Sequence, residues 1–212
     1  MGGYMDGYSI AHLEELLNEI GEERVKSILS NFSCPRNRDI EFFLRDKAIE
    51  FSKQSIAKTY LVFTSYKQEA VLAGYFTVAN KQMQVSKDDL SKNIIRKIAR
   101  FGTENNGIYT LTAPLIAQLG NNFSNDYNKL ITGEELLGFA IQKIQMAQYL
   151  LGGKICYVEC ENQQKLISFY ESAGFIRFGR RNIDEDELNS GRYLIQLLRI
   201  DNTKYHNNPR LA

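Results

Sequence analysis

Histidine is scarce: the 212 residues hold two, His12 and His206, together with three prolines and no tryptophan. A serine or cysteine nucleophile served by imidazole would have to draw on one of these two, so most hydrolase-type catalytic sets are excluded. Cysteine is scarce too, with Cys34, Cys156 and Cys160 an odd set. The first twenty residues carry Asp and Glu where a signal peptide needs cations and an apolar stretch, which points to free thiols in a reducing, cytoplasmic compartment. A shared zinc is excluded as well: on one strand Cys156 and Cys160 would lie about 13 Å apart at about 3.3 Å per residue. No metal is therefore expected. No run of roughly 18 apolar residues is present to span a bilayer. Neither sign of charge dominates, 26 basic residues facing 25 acidic ones for a net of +1. A nucleic acid or an anionic membrane would have to find a local patch.

What is present is the composition of a packed soluble domain, 43% apolar and 24% charged. The length suits one core. Ile10, Leu13, Leu16, Leu17 and Ile20 have helical spacing and Gly21 follows as a C-terminal cap. Val25, Ile28, Leu29 and Phe32 repeat the pattern. Ile40, Phe43, Leu44, Ala48 and Phe51 form a third apolar face after Asn37, a helix-capping residue. From Thr59 the chain turns β-branched and aromatic, and TYLVFTSY and AVLAGYFTVANKQMQV read as a hairpin around KQE. DDLSKNIIRKIARF predicts a helix with Ile94, Ile95, Ile98 and Phe101 inward and Lys92, Arg96, Lys97 and Arg100 outward. IYTLTAPLIAQLG reads as a long strand, with Pro114 marking an edge or a bulge. NNFSNDYNK reads as a loop.

An amphipathic helix, TGEELLGFAIQKIQMAQYLL, then leads to the strand KICYVEC, a unit that normally makes parallel neighbours. A second helix, NQQKLISFYESAG, precedes the strands FIRFGR and RYLIQLLRI, which an acidic loop separates. The order predicts a single α/β (α+β) domain with a mixed central sheet and helices on both faces.

Two segments can carry chemistry. In TGEELL, Thr132 and Glu135 form a capping box, and Gly133 brings the backbone into the helix without a side chain in the way. Such a start leaves N–H groups and the positive end of the helix dipole for a phosphate, although it is equally the start of any well-capped helix. In SFYESAGF, Tyr170 shares a helix face with Leu166 and Ala173, a position suited both to a core residue and to a reactive hydroxyl.

Taken in order, these motifs resemble the GNAT acetyltransferases over roughly residues 30 to 200. Gly74 and Tyr75 in the hairpin match a common Gly-Tyr step of that family, LIAQLG resembles its fourth strand, and ITGEELL resembles the end of its pyrophosphate loop. LISFYESAGF resembles the motif that holds its frequent catalytic tyrosine. The family's first loop glycine is Ile131 here, and Lys129 approximates the loop's basic position. Asn162 and Gln163 stand where an asparagine is frequent.

The resemblance implies an acetyl-CoA-dependent N-acetyltransferase, in which a primary amine attacks the thioester directly and Tyr170 protonates the CoA thiolate. Leu119 and Gly120 would border the cleft, the amides of Ile131, Thr132, Gly133 and Glu134 would take the pyrophosphate, and Lys129, Asn162 and Gln163 would complete the cofactor contacts. No general base is legible in the sequence: Glu159 and Glu161 are candidates by position only, and a water chain would serve as well.

FSCPRNRDIEFFLRDKAIEF followed by AVLAGYFTV has a further likeness, to the GNAT toxins that acetylate charged tRNA. Arg36 and Arg38 with the basic helix at Lys92–Arg100 would supply the RNA patch. On these expectations residues 1–31 are an N-terminal helical extension that covers the acceptor cleft or forms a homodimer contact. Residues 32–200 are the acetyltransferase domain, and residues 201–212 a flexible tail. A catalytically inactive CoA-binding or interaction module is the reading from another class.

Overall fold

The computed structural model describes residues 3–5, 7–183 and 193–201. The acidic loop expected between the last two strands and the expected tail beyond residue 201 lie outside them. One mixed sheet of nine strands runs through the described residues. Its N-terminal arm is antiparallel: β1 (Gly3–Met5), β2 (Tyr8–His12), β3 (Lys58–Tyr66), β4 (Glu69–Ser86) and β6 (Ile108–Asn121) follow one another across it, and β5 (Gly102–Asn105) pairs with the start of β6. Next come β7 (Ile155–Glu161), parallel to β6, then β9 (Tyr193–Ile200) and β8 (Ile176–Asn182), both antiparallel.

Strand alternation divides the core. Val62, Ala73, Phe76, Ile116, Cys156 and Val158 face α6 (Gly133–Leu151) and α7 (Gln164–Ser172). Their sequence neighbours Leu61, Leu72 and Tyr75 point the other way, into α1 (Leu13–Ile20), α2 (Glu22–Ser30) and α4 (Ala48–Lys53). On that same second face, Val85, Leu115, Ile155 and Tyr157 pack with α5 (Lys92–Ile98). Alternation on the strands, reset in β4 by a bulge at Ala73, thus places helices on both faces, as the pattern predicts.

Five local readings change. The first helix begins at Leu13, not Ile10, because residues 8–12 are a strand whose Ile10 pairs with Val62. Asn37 does cap a helix, α3 (Arg38–Phe42), but a π turn at Phe43–Lys47 interrupts it before α4. Phe101 lies beyond α5 and is exposed rather than inward. The polar loop contains a 3-10 stretch, Ser124–Lys129. The strand break is a bulge at the Thr77/Val78 step of β4 opposite Ala117, three residues past Pro114. The KQE turn holds: Lys67 and Gln68 both take positive φ, as a two-residue hairpin requires.

Candidate active site

β6 and β7 touch only briefly, at Leu115 with Tyr157 and Ile116 with Val158, and then part. Their separation opens a cleft of about 2210 Å³. One wall is the start of α6 with α7, and the other is the segment from Cys34 through the first turns of α3.

The α6 wall is held by the predicted capping box. Glu135 N donates to Thr132 Oγ1 at 3.1 Å, and the Glu135 carboxylate accepts from both the amide and the hydroxyl of Thr132 at 2.8 Å. That main-chain bond from Thr132, with the hydroxyl bond next, holds the Glu135 carboxyl below its ordinary pKa. The Thr132 amide is therefore occupied, and the amides of Gly133 and Glu134 are the first ones free to meet a ligand. Tyr8 of β2 braces this turn from behind, its hydroxyl donating to the Leu130 carbonyl at 2.8 Å and lying 3.3 Å from Glu135 Oε1.

Tyr170 lines the cleft from α7, with its ring against Phe169 and Phe175. Only 9% of it is exposed, and burial pushes its hydroxyl pKa well above the usual tyrosine value. The hydroxyl is thus protonated throughout the physiological range.

The opposite wall approaches β6 because Gly120 has no side chain: a Cβ there would lie 2.5 Å from Ile40 Cγ2. The fully buried Tyr75 donates its hydroxyl to the Ile40 carbonyl at 2.6 Å, fixing α3 over the strand. Behind it Asn122, 1% exposed, accepts from the amides of Ser33 and Ser124 and donates to the Leu72 carbonyl. Glu41 takes the Cys34 amide at 2.6 Å. The bonds of Tyr75 to Ile40 and of Asn122 to Ser33 and Leu72 join distant segments, and no local motif announces them.

No family model and no curated protein matches the chain. Solved structures do. A tyrosine-to-phenylalanine mutant of KacT is similar at TM-score 0.59 and 17% identity, over 91% of this chain and 95% of that one. AtaT complexed with acetyl-methionyl-tRNAfMet is similar at 0.59 and 18%, over 89% and 93%. AtaTR bound with AcCoA is similar at 0.53 and 18%, over 90% and 93%. The chain has the GNAT fold. At these identities the likeness is one of fold, and the strand split after Ile116 is the opening that the resemblance of LIAQLG and KICYVEC implies.

Within the GNAT frame the sequence-predicted residues divide. Leu119, Gly120, Thr132, Gly133, Glu134, Asn162, Gln163 and Tyr170 all line the one cleft. Ile131 is 2% exposed in the core, its carbonyl accepting from Asn121. Lys129 points to the surface and pairs with Asp126 at 3.1 Å. Asn162 donates to the Tyr193 hydroxyl and Gln163 to Glu161. Glu159 is taken up by Arg181 and Gln196, both at 2.8 Å.

Burial drives the thiols of Cys156 and Cys160 up to about 12 and about 11, which leaves both unreactive at neutral pH. Among the described residues no group of His, Cys, Asp and Glu could hold a metal ion, and no helix is long and apolar enough to cross a membrane. Sequence reasoning missed Arg177, Arg180 and Lys81, cations that line the cleft from β8 and β4. Neither strand borders the split, and no local motif marks these residues.

Proposed function

We propose that the protein is an acetyl-CoA-dependent N-acetyltransferase whose acceptor is the amino group of a charged tRNA. The observation that carries the reading is the cleft itself, where Tyr170 is buried beside the parted strands and across from the Gly120–Ile40 contact. A pyrophosphate fits the α6 start: the amides of Gly133 and Glu134 are open, and the nineteen-residue helix lends its positive end. The main chain of β6 at Leu119 and Gly120 borders the thioester. The acceptor amine attacks the carbonyl carbon directly, and the neutral Tyr170 hydroxyl gives its proton to the departing thiolate. No activated nucleophile is needed.

The choice of acceptor rests on charge and on the neighbours. Seven cations, Arg36, Arg177 and Arg180 among them, line the cleft against five carboxylates, a local excess of the kind that phosphates meet. AtaT, of the same fold, was solved with an acetylated charged tRNA.

The experiment incubates the protein with aminoacyl-tRNA and labelled acetyl-CoA. Label should reach the RNA and leave it when the ester is hydrolysed. Label confined to small amines would remove the tRNA acceptor. Absence of thermal stabilisation by acetyl-CoA and CoA would remove the enzyme reading, since a ligand at 100 times its Kd adds about 2.7 kcal/mol. Binding without transfer to any amine would favour the inactive module.

A further inference from the structure

The first turn of α3 bridges the strand split. Asp39 Oδ2 accepts from Gln118 Nε2 of β6 at 3.1 Å, and Asn37 Nδ2 donates to Glu161 Oε1 of β7 at 3.4 Å. Gln118 directly follows the bulged Ala117 and Glu161 ends β7, so the two anchors sit on facing lips of the opening. An amine approaching a thioester seated there arrives at this turn.

Five carboxylates line the cleft. Glu159 is neutralised by Arg181. Both oxygens of Glu161 accept side-chain amides, one from Asn37 and one from Gln163. Asp89 and Glu134 are exposed at the two ends, near α5 and at the start of α6. Asp39 alone is half-buried with an oxygen to spare: Oδ2 is held by a neutral amide, and Oδ1 has no hydrogen bond or ion pair among the described residues. The buried Tyr75 hydroxyl beside it is given to the Ile40 carbonyl. Arg36 lies over the Phe123 ring, Arg38 is exposed, and Glu41 serves Cys34 and Arg45.

We propose that Asp39 is the group that takes the proton from the acceptor amine, an assignment that rests on the acetyl-transfer reading. An α-amino group with a pKa of about 8 arrives largely as ammonium at neutral pH and cannot attack until it loses a proton. Asp39 takes that proton, and the freed lone pair forms the N–C bond. The C–S bond breaks with its electron pair on sulfur, and the thiolate takes the Tyr170 proton. The remaining surplus proton on the new amide nitrogen returns to the Tyr170 oxygen through solvent, and Asp39 discharges its own to solvent. One ammonium and one thioester become one amide, one thiol and one free proton.

The test measures kcat/KM from about pH 6 to about pH 9.5, a range that spans the amine's titration. It uses wild type, Asp39→Asn, Asp39→Glu and Glu161→Gln, with charged tRNA and with methionine amide as acceptors and acetyl-CoA affinity measured in parallel. Asp39→Asn should lose about 10²-fold near pH 6 and about tenfold near pH 7, the deficit closing where the amine is already neutral. Acetyl-CoA affinity should hold within about twofold and Asp39→Glu should recover part of the rate, because only the proton acceptor has changed. A loss of the same factor at every pH, no loss, or the pH-dependent loss on Glu161→Gln instead would overturn the assignment. Labelled methionine amide with unlabelled tRNA would remove the tRNA acceptor and leave Asp39 to be judged on the amide profile. Neither acceptor labelled would overturn both.

Discussion

Two helices open onto the cleft with a side-chain oxygen capping the first turn, α6 through Thr132 and α3 through Asn37. The α6 cap closes on itself, Thr132 and Glu135 satisfying one another, and nineteen residues follow with Leu136, Leu137, Ala140 and Ile144 buried. The α3 cap reaches outward, to Glu161 across the split, and only five residues follow before the π turn. A wall stabilised by its own burial keeps its shape whether or not a ligand is present. The α3 wall is fixed to its strand through Tyr75 and is also bonded across the split through Asn37, and only this second tie responds to what occupies the cleft. The difference suits a cofactor side built once and an acceptor side that adapts.

Substitutions can break this contrast or sharpen it. The largest effect is expected from Tyr170→Phe, with turnover down about 10²-fold in single-turnover assays and acetyl-CoA affinity nearly unchanged. An equal loss of affinity would make Tyr170 part of the cofactor wall only. Gly120→Ala drives a methyl group into Ile40 and should cost about 1–3 kcal/mol in urea unfolding, with acceptor KM rising more than acetyl-CoA Kd. Thr132→Ala and Asn37→Ala should each cost about 1 kcal/mol as lost caps, yet divide by function. Calorimetry should show weaker acetyl-CoA binding for the first, and kinetics a higher acceptor KM for the second. The same pattern from both would erase the contrast.

The smallest change is Gly133→Ala. Its Cβ would sit 3.4 Å from Phe169 Cε2, an ordinary contact, so stability should hold or rise by up to about 1 kcal/mol. A simultaneous fall in acetyl-CoA affinity would mean that the ligand, not the fold, requires the glycine.

What the sequence disclosed was local. The Thr132–Glu135 spacing and the helix face carrying Tyr170 lie within short windows, the parallel step from LIAQLG to KICYVEC follows from the strand–helix–strand order, and each is found where expected. Residues 8–12 misled because Ile10 also fits the helical stripe of Leu13 and Leu17; its partner Val62 is what decides. β5 was missed because three of its four residues are exposed and lack an apolar alternation, leaving only the Asn106–Gly107 turn as a signal. Asp39 was one acidic residue among 25, distinguished by Gln118, 79 positions along the chain.

Tyr8 makes the N-terminal strand a strut for the turn that would grip acetyl-CoA. A shift of β2 against β3 would therefore travel through one phenol oxygen to the Leu130 carbonyl and the Glu135 carboxylate. Tyr8→Phe would then lower the affinity for acetyl-CoA from outside the active site, without touching a residue that lines it.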